Sequence, residues 1–333
     1  MKDLIKKLVE TYGPSGNEEQ IRGLIEETIR DHVDEIRVDT IGNLIAHKKG
    51  TEEGKRVMVA AHMDEIGLVV THIDDDGFAR FGRVGGVSPV TLVGNRVHFA
   101  DETAGVIGWE KWLRSSKRPK WEELFIDVGA TSPEDCPIDV GDIAGFVRSF
   151  TDMDKRLVAK SMDDRIGCAL VIQTLFDMNR SPHDIHFVFT VQEELGTRGA
   201  MPATFGIEPD VAVAVDVTMV GDTPEAHPMA VSLGDGPAIK VMDSGMLTHP
   251  GVKRWMIQTA EEAEIPYQRE VLERGSTDAR AMQLSRTGVA AGCLSIPSRY
   301  VHTPSEMVDY GDVQGGVELL SAMLRKEIDL SQA

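Results

Sequence analysis

The chain has 333 residues, of which 41% are hydrophobic and 27% charged, and its formal net charge is −19. This length and composition indicate a soluble globular protein with two domains, or with one domain that carries a large insertion. Such an acidic chain lacks the basic surface that binds nucleic acid or an anionic membrane, so we expect neither as a partner.

Two helices and three short strands are predicted in the N-terminal part. Apolar residues at helical spacing predict helices at residues 4–12 and 21–29. The segment from Ser15 to Glu18 has the spacing of a capping box for the second helix, with Asn17 as a competing cap. Strands are predicted at residues 36–39, 43–46 and 57–61. The last of these is apolar on both faces and is expected at the centre of a sheet.

The middle of the chain has a different character. From residue 69 to about residue 160, glycine and valine are frequent, and short β-like runs alternate with turns such as Asp74–Gly77 and Gly85-Gly86. This pattern is typical of a small β-barrel or sandwich.

From residue 163 onward, predicted helices and buried strands alternate again. Helices are predicted at 165–178, 251–263 and 313–328, and strands at 185–191, 211–217 and 289–296. This alternation indicates an α/β layer fold. We therefore predict a three-layer α/β domain with a mostly parallel central sheet, formed by residues 1–69 and 161–333. A small β-barrel-like domain is inserted at residues 70–160.

Histidine and acidic residues recur where the predicted strands end, namely His62, Asp64, Glu193, Glu194, Asp216 and His302, while Asp163 and Asp164 precede a helix. In open α/β sheets, the carboxyl ends of the strands line the ligand crevice. Any one of these residues alone is readily explained as a turn residue, a helix cap or a solvated side chain. Their recurrence at several strand ends favours a single metal site.

The residue types also indicate the chemistry. Histidine and carboxylate ligands without clustered cysteines suit Zn²⁺, Co²⁺ or Mn²⁺ in a catalytic site. Two such ions held by two histidines and three carboxylates would keep a residual positive charge and lower the pKa of a bound water. Glu193 and Glu194 can then divide the work. One binds a metal, and the other stays free as a general base that carries a proton from the water to the leaving amine.

The segments HMDEIG, KSMDDRIG, VQEELGTRGA, VAVDVT and RYVHTPSEM, in this order, resemble the M42 family of dinuclear metallo-aminopeptidases. This family includes tetrahedral aminopeptidases, glutamyl aminopeptidases and proteins described as cellulase-like. GSTDA at residues 275–279 extends the match, which runs from the first helix to the last. The resemblance implies an enzyme that removes N-terminal residues from peptide substrates. It also implies that the inserted β domain supports dimers, which assemble into a dodecamer.

The resemblance further implies two divalent metal ions per subunit, Zn²⁺ foremost, with Co²⁺ or Mn²⁺ as alternatives. His62, Asp163 and Asp216 would bind one ion. Asp163, Glu194 and His302 would bind the other, so that Asp163 bridges the pair.

Other residues acquire roles from the same resemblance. Glu193 would be the general base, and Asp64 would orient the imidazole of a metal ligand, a common device at metal sites. Asp164 and Arg165 would be structural neighbours. Arg274 departs from a segment that is richer in glycine in many relatives, and we interpret it as facing solvent. The histidines outside the motifs are interpreted as non-ligands.

Two other functions remain open at this point. One is a deacylase or a carboxypeptidase on a related dinuclear scaffold, because the pocket decides the substrate. The other is a non-catalytic protein with a relict metal site, which the intact ligand set disfavours. Three isolated cysteines without a CxxC motif and an N-terminus too polar for a secretory signal favour the cytoplasm.

Overall fold

The computed structural model describes residues 1–51, 54–111, 117–178 and 180–331. The α-helices are α1 (Lys2–Glu10), α2 (Glu19–Ile29), α3 (Met162–Asp177), α4 (Ala200–Ile207), α5 (Pro250–Glu262), α6 (Asp278–Gln283) and α7 (Tyr310–Arg325). Short 3-10 helices lie at Arg30–His32, Pro89–Thr91, Trp121–Glu123 and Pro133–Asp135. Among the described residues, no helix combines the length and apolarity that a membrane crossing requires.

The strands before α3 are β1 (Glu35–Val38), β2 (Leu44–Lys48), β3 (Arg56–His62), β4 (Gly67–Ile73), β5 (Ala79–Val84), β6 (Arg96–His98), β7 (Ala104–Trp109), β8 (Leu124–Asp127), β9 (Ile143–Phe146), β10 (Thr151–Met153) and β11 (Arg156–Ala159). The strands after α3 are β12 (Asp184–Thr190), β13 (Val211–Thr218), β14 (Ala238–Met242), β15 (Gln268–Val271), β16 (Ala290–Arg299) and β17 (Glu306–Asp309).

The large sheet has the strand order β1-β2-β12-β3-β13-β16-β17-β11-β10, and β14 pairs with β16 and β15 beside this path. The central strands β12, β3, β13 and β16 run parallel. Both flanks are antiparallel, as in the pairs β2–β12 and β16–β17. The predicted parallel arrangement is therefore confirmed for the centre of the sheet, and β3 lies there as expected.

Helices cover both faces of this sheet. Side chains alternate along β3, so that Val57, Val59 and Ala61 pack into the core beside α1, α3 and α7. Met58 and Ala60 pack on the opposite face against α4 and α6. A strand buried on both faces reads as a continuous apolar run, which is how β3 appears in the sequence. The predicted three-layer α/β fold is confirmed.

The inserted part forms a closed barrel with the strand order β4-β5-β8-β7-β6-β9. Its neighbouring strands are antiparallel, and its core contains Leu68, Val97, Ile126 and Phe146. The chain leaves the large sheet after β3 and returns to it through β10 and β11. The barrel strands thus lie between residues 67 and 146, and the predicted boundaries of the insertion, at 70 and 160, stay a prediction.

A buried ion pair joins the two chain crossings between the barrel and the large domain. The Nζ atom of Lys160 lies 2.7 Å from both carboxylate oxygens of Glu65. Arg165 lies 3.8 Å from the same carboxylate, and the amide of Gly13 donates to it over 3.2 Å. These side chains are 0–3% exposed, so the cluster joins the two crossings in the protein interior.

The predicted capping box before α2 is wrong. Glu18 is the N-cap residue of α2, and no side chain caps the helix. The Ser15 hydroxyl donates to the Asp64 carboxylate instead. Glu18 accepts from the amides of Gly16 and Gln192, at 2.8 and 3.2 Å. Ser15 and Glu18 are buried, and they form hydrogen bonds with polar groups of the loops around the site rather than with the amides at the helix end.

Candidate metal centre

The site lies where the central parallel strands end. His62 is the last residue of β3, Asp216 lies near the end of β13, and Glu193-Glu194 follow β12. The register pairs Thr190 of β12 with His62, which brings these strand ends to one edge. This is the crevice that the strand-end pattern predicts.

Two further elements complete the site. Asp163 lies at the start of α3, where it and Asp164 have non-helical φ and ψ angles and are joined by a cis peptide bond. The regular helix therefore begins at the predicted residue, Arg165. His302 lies between β16 and β17 with a φ angle of 62°. A non-glycine residue in this left-handed region is uncommon and is held there by its surroundings.

The carboxylate of Asp163 stands between the two histidines. Its Oδ1 atom lies 2.9 Å from Nε2 of His62, and its Oδ2 atom lies 3.3 Å from Nε2 of His302. Asp216 Oδ1 is 4.0 Å from His62 Nε2, and Glu194 Oε1 is 3.2 Å from His302 Nε2. The structure thus brings all five predicted ligands together, with Asp163 in the position expected of a bridge.

Donor atoms converge closely enough to share an ion. The groups His62–Asp163–Glu194 and His62–Asp164–Asp216 each offer ligand atoms that lie within 4.8 Å of one another. Asp164, however, accepts backbone hydrogen bonds from His62 and Gly167, at 3.3 and 3.1 Å. These bonds occupy both of its oxygens and favour the predicted structural role for this residue.

Asp64 connects the imidazole of His62 to the two glutamates. Its Oδ1 atom lies 3.5 Å from His62 Nδ1, and the carbonyl oxygen of Asp64 lies 3.1 Å from the same ring nitrogen. The amides of Glu193 and Glu194 donate to its carboxylate at 3.0 and 3.2 Å. Asp64 thus lies beside the histidine that it is predicted to orient, and its carboxylate also accepts hydrogen bonds from the turn that presents both glutamates.

Glu193 and Glu194 have different surroundings. Both residues line the cavity, but the Glu194 side chain lies beside His302. Among the described residues, no hydrogen bond or ion pair holds the Glu193 carboxylate. The backbone carbonyl oxygen of Glu193 accepts hydrogen bonds from the amides of Gly196 and Thr197. The tight turn that results follows Gln192, which is in the left-handed region with φ 55°. The turn lets adjacent residues serve one cavity.

Glu306 also belongs to the site, although no sequence pattern indicated it. This side chain is 1% exposed, and it accepts from the amides of both Asp163 and His302 at 2.8 Å. It thereby ties two distant segments that carry the site. Its position four residues after His302 gave no signal, because the contact to Asp163 joins residues 143 positions apart.

Buried negative charge dominates the electrostatics of the site. Burial, reinforced by neighbouring carboxylates, raises the pKa of Asp216 and of Glu193 well above the ordinary range. Although burial opposes it, Glu194 and Asp163 raise the pKa of His302 to about 12. These shifts follow from several carboxylates crowded together in a buried volume of low dielectric constant.

The donor set fits divalent cations. Glu194 Oε1 is buried and lacks a partner with hydrogen-bond geometry, although His302 Nε2 lies nearby. Carboxylate oxygens and imidazole nitrogens without cysteine are ligands for zinc and related ions. In the arrangement that the resemblance implies, His62, Asp163 and Asp216 would hold one such ion, and Asp163, Glu194 and His302 would hold a second.

The barrel contributes two glycines to the site. A Cβ atom added at Gly86 would lie 2.2 Å from Nδ1 of His302. A Cβ atom added at Gly85 would lie 2.9 Å from Oε2 of Glu194, and φ at this glycine is +81°. The backbone of the barrel therefore lies directly against two of the predicted ligands.

A cavity of about 350 Å³ opens beside these residues. Arg274 is exposed, as expected, but it also lines this cavity, because Leu272 and residues 274–277 form one of its walls. His249, one of the histidines outside the motifs, lies away from this cavity. Its Nδ1 atom accepts a hydrogen bond from the amide of Gly251 at the start of α5.

Comparison with known proteins agrees with the fold and identifies the family. The family description of the M42 glutamyl aminopeptidases matches residues 42–319. The lysyl aminopeptidase of Pyrococcus furiosus is 38% identical over 97% of this chain and 96% of its own length. The solved structure of aminopeptidase APDkam598 from Desulfurococcus kamchatkensis is 41% identical, with a TM-score of 0.94 over 98% of this chain and 94% of that one.

A third comparison concerns assembly. The TET1 peptidase of Pyrococcus horikoshii, which can assemble into a tetrahedron or a large octahedral shell, is 32% identical. Its TM-score is 0.89 over 98% of this chain and 99% of that one. The matches span nearly the full length of each protein, and a family match over residues 42–319 covers every residue of the site described above. The chain therefore belongs to the M42 family of aminopeptidases and is an enzyme that hydrolyses peptide bonds.

Proposed function

We propose that this enzyme is a metal-dependent aminopeptidase in which Glu193 is the general base. The observation that carries the proposal is the division between the two adjacent glutamates. Glu194 lies 3.2 Å from a histidine of the predicted ligand set, whereas the Glu193 carboxylate is free of protein partners in the described structure and lines the same cavity. A base must reach a water without being held by other groups.

Each side chain then has a step to perform. The chemistry that two bound divalent ions supply is polarisation of the scissile carbonyl and a lower pKa for the attacking water. Glu193 takes the proton from that water and delivers it to the leaving amine. Asp64 keeps the His62 ring in one orientation, and it holds the backbone that carries Glu193.

The direction of the pKa shift of Glu193 supports its role as the general base. A general base works best when its pKa lies near the operating pH, and burial moves a glutamate upward from its ordinary value.

The two adjacent glutamates allow a matched test. Glu193→Gln should retain bound metal and lose turnover by about 10²–10⁴-fold, the usual contribution of a general base. Glu194→Gln should instead lose metal. Metal content by mass spectrometry and hydrolysis of leucine p-nitroanilide would be measured on both variants. A Glu193→Gln enzyme with full activity refutes the assignment of the base.

The same assay separates an aminopeptidase from the deacylase or carboxypeptidase alternative. Leucine p-nitroanilide should be cleaved, and its N-acetylated form should not. Activity should disappear with a chelator and return with Zn²⁺, Co²⁺ or Mn²⁺, and the best restoring ion would indicate the one used. Cleavage of the acetylated substrate alone would favour a deacylase.

We also propose that the chain forms dimers through its inserted barrel and that dimers assemble into a dodecamer. The tetrahedron formed by the Pyrococcus horikoshii TET1 peptidase, which shares this fold over nearly its whole length, supports the proposal. Light scattering would measure the mass of the assembly.

A reducing, cytoplasmic location fits the three free cysteines.

A further inference from the structure

A fully buried ion pair joins β14 to β15. The ammonium group of Lys240 donates to Oε1 of Glu270, and both side chains are 0% exposed. Although burial opposes it, Glu270 raises the pKa of Lys240 to about 12, so the lysine stays charged. The Oε2 atom of Glu270 is buried too, and it has no hydrogen-bond partner among the described residues.

Stability alone is a weak explanation for this pair. A buried ion pair is often no more stable than apolar side chains of the same volume. An unpaired buried oxygen, such as Oε2 of Glu270, costs further free energy. The pair therefore favours a role beyond stability, and its contacts with other elements indicate which role.

The carboxylate of Glu270 reaches the cavity wall through Thr218. The Thr218 hydroxyl donates to Oε1 of Glu270 at 2.8 Å, and Thr218 is buried. Thr218 is the last residue of β13 and lines the cavity, as does Asp216 two residues before it. Because side chains alternate along a strand, Thr218 and Asp216 point to the same face of the sheet. Glu270 therefore holds the segment that carries a predicted metal ligand.

The end of β13 is paired with a neighbouring strand on one side only within the described sheet. The register of β13 with β3 runs from Val211 to Ala214, whereas its register with β16 continues to Thr218. The last partner on β16 is Pro297, which has no amide hydrogen to donate. A side-chain hydrogen bond at Thr218 thus restrains this strand end where backbone pairing is weakest.

We propose that Glu270 is a positioning residue for the metal centre. Held by Lys240, its carboxylate fixes the Thr218 hydroxyl and thereby the strand end that presents Asp216 to an ion. This inference rests on the proposed metal-dependent function. Groups that position metal ligands through hydrogen bonds typically contribute about 10–100-fold to metal affinity. Here the hydrogen bond acts on the strand that carries the ligand rather than on the ligand itself.

Two double variants separate the hydrogen bond from the ion pair. Lys240→Met with Glu270→Leu removes both charges and the oxygen that Thr218 contacts. Lys240→Met with Glu270→Gln removes both charges but keeps an oxygen of the same reach. Neither variant leaves a buried charge unpaired, so both should fold. Thr218→Val removes the hydroxyl at the other end of the contact at nearly constant volume.

Competition with a chelating dye would measure Zn²⁺ affinity, and urea unfolding would measure the stability of each metal-free protein. In the Glu270→Leu double variant and in Thr218→Val, one Zn²⁺ should bind about 10–100-fold more weakly than in the native enzyme, at similar urea midpoints. The Glu270→Gln double variant should bind Zn²⁺ as the native enzyme does. Thr204→Val is the matched control, because this buried hydroxyl donates at 2.6 Å to the carbonyl of Ala200 within α4, outside the cavity.

The possible results are distinct. If the native protein binds no divalent ion, the proposed function itself fails. If the native protein binds Zn²⁺ and Thr218→Val binds it equally well, only the positioning role of Glu270 is overturned. Equal losses of affinity in the two double variants would assign the effect to the missing charges and would also overturn it. A lower urea midpoint with native Zn²⁺ affinity in the Glu270→Leu double variant would show that the pair serves the fold alone.

Discussion

Replacing Gly86 by alanine is expected to displace His302. The added Cβ atom would lie 2.2 Å from Nδ1 and 2.6 Å from Cε1 of the imidazole. Non-bonded heavy atoms are most stable at about 3.5–4.0 Å, so the ring would have to retreat by roughly 1 Å. Gly86 does not occupy the left-handed region, which means that alanine suits its backbone and that the contact alone causes the effect.

The size of the effect follows from the tolerance of metal coordination. Ligand distances hold to within about 0.2 Å, so a ring shifted by roughly 1 Å no longer reaches an ion shared with Glu194 and Asp163. Misplacement of about 1 Å in an active site costs about 100-fold in rate. Gly86→Ala should therefore lower kcat/KM by about 100-fold and retain fewer metal ions per subunit, while the protein remains folded.

The assay combines metal content after dialysis, p-nitroanilide hydrolysis and circular dichroism. Gly82→Ala in the same barrel is the control, because its Cβ atom would meet Val69 and Thr71 at 3.5 and 3.6 Å, an ordinary contact. A Gly86→Ala enzyme with full metal content and native activity would show that His302 is not a ligand or that the barrel loop moves freely.

Two further predictions concern stability. Glu65→Gln leaves Lys160 and Arg165 buried without their carboxylate and should destabilise the protein by about 3–5 kcal/mol in urea unfolding; an unchanged midpoint would contradict this. Burial, reinforced by His47, lowers the pKa of His186 from 6.5 to about 4. The unfolded chain therefore binds the proton first, so the stability this residue contributes is lost as the pH falls from about 6.5 to about 4. The melting temperature of His186→Asn should fall less across that range, and identical pH profiles for variant and native protein would argue against it.

The sequence predicted the central sheet, and it placed the candidate site residues at the ends of neighbouring strands. The run from Val57 to Ala61 is apolar on both faces, and this is a local property of a central parallel strand. His62 and Asp216 follow such runs, so their convergence is a geometric consequence of parallel pairing. The division between Glu193 and Glu194 was likewise suggested by a strand that ends before a glycine turn.

What the sequence did not reveal depends on contacts between distant segments. Ser15 has the spacing of a helix cap, yet it serves Asp64, because burial of that carboxylate demands a donor. Glu306 and Gly86 act on His302 from a neighbouring strand and from the barrel. No local sequence pattern indicates such contacts. The place of Arg274 in the cavity wall could be recognised only once the position of the segment was known.

The Glu65–Lys160 pair has a consequence for how the insertion can vary. His62 stands just before the excursion into the barrel and Asp163 just after it, so the spacing of these two donors depends on where the excursion begins and finishes. The Glu65–Lys160 ion pair fixes the base of the barrel. Changes in the hairpins at its far end, such as the turn at Asp74–Gly77, therefore leave this spacing unaltered. Lengthening a flexible loop costs little, about 0.6 kcal/mol for each doubling. The distal hairpins of the barrel can thus change in length, and so contact different neighbours, while the site in the large domain remains intact.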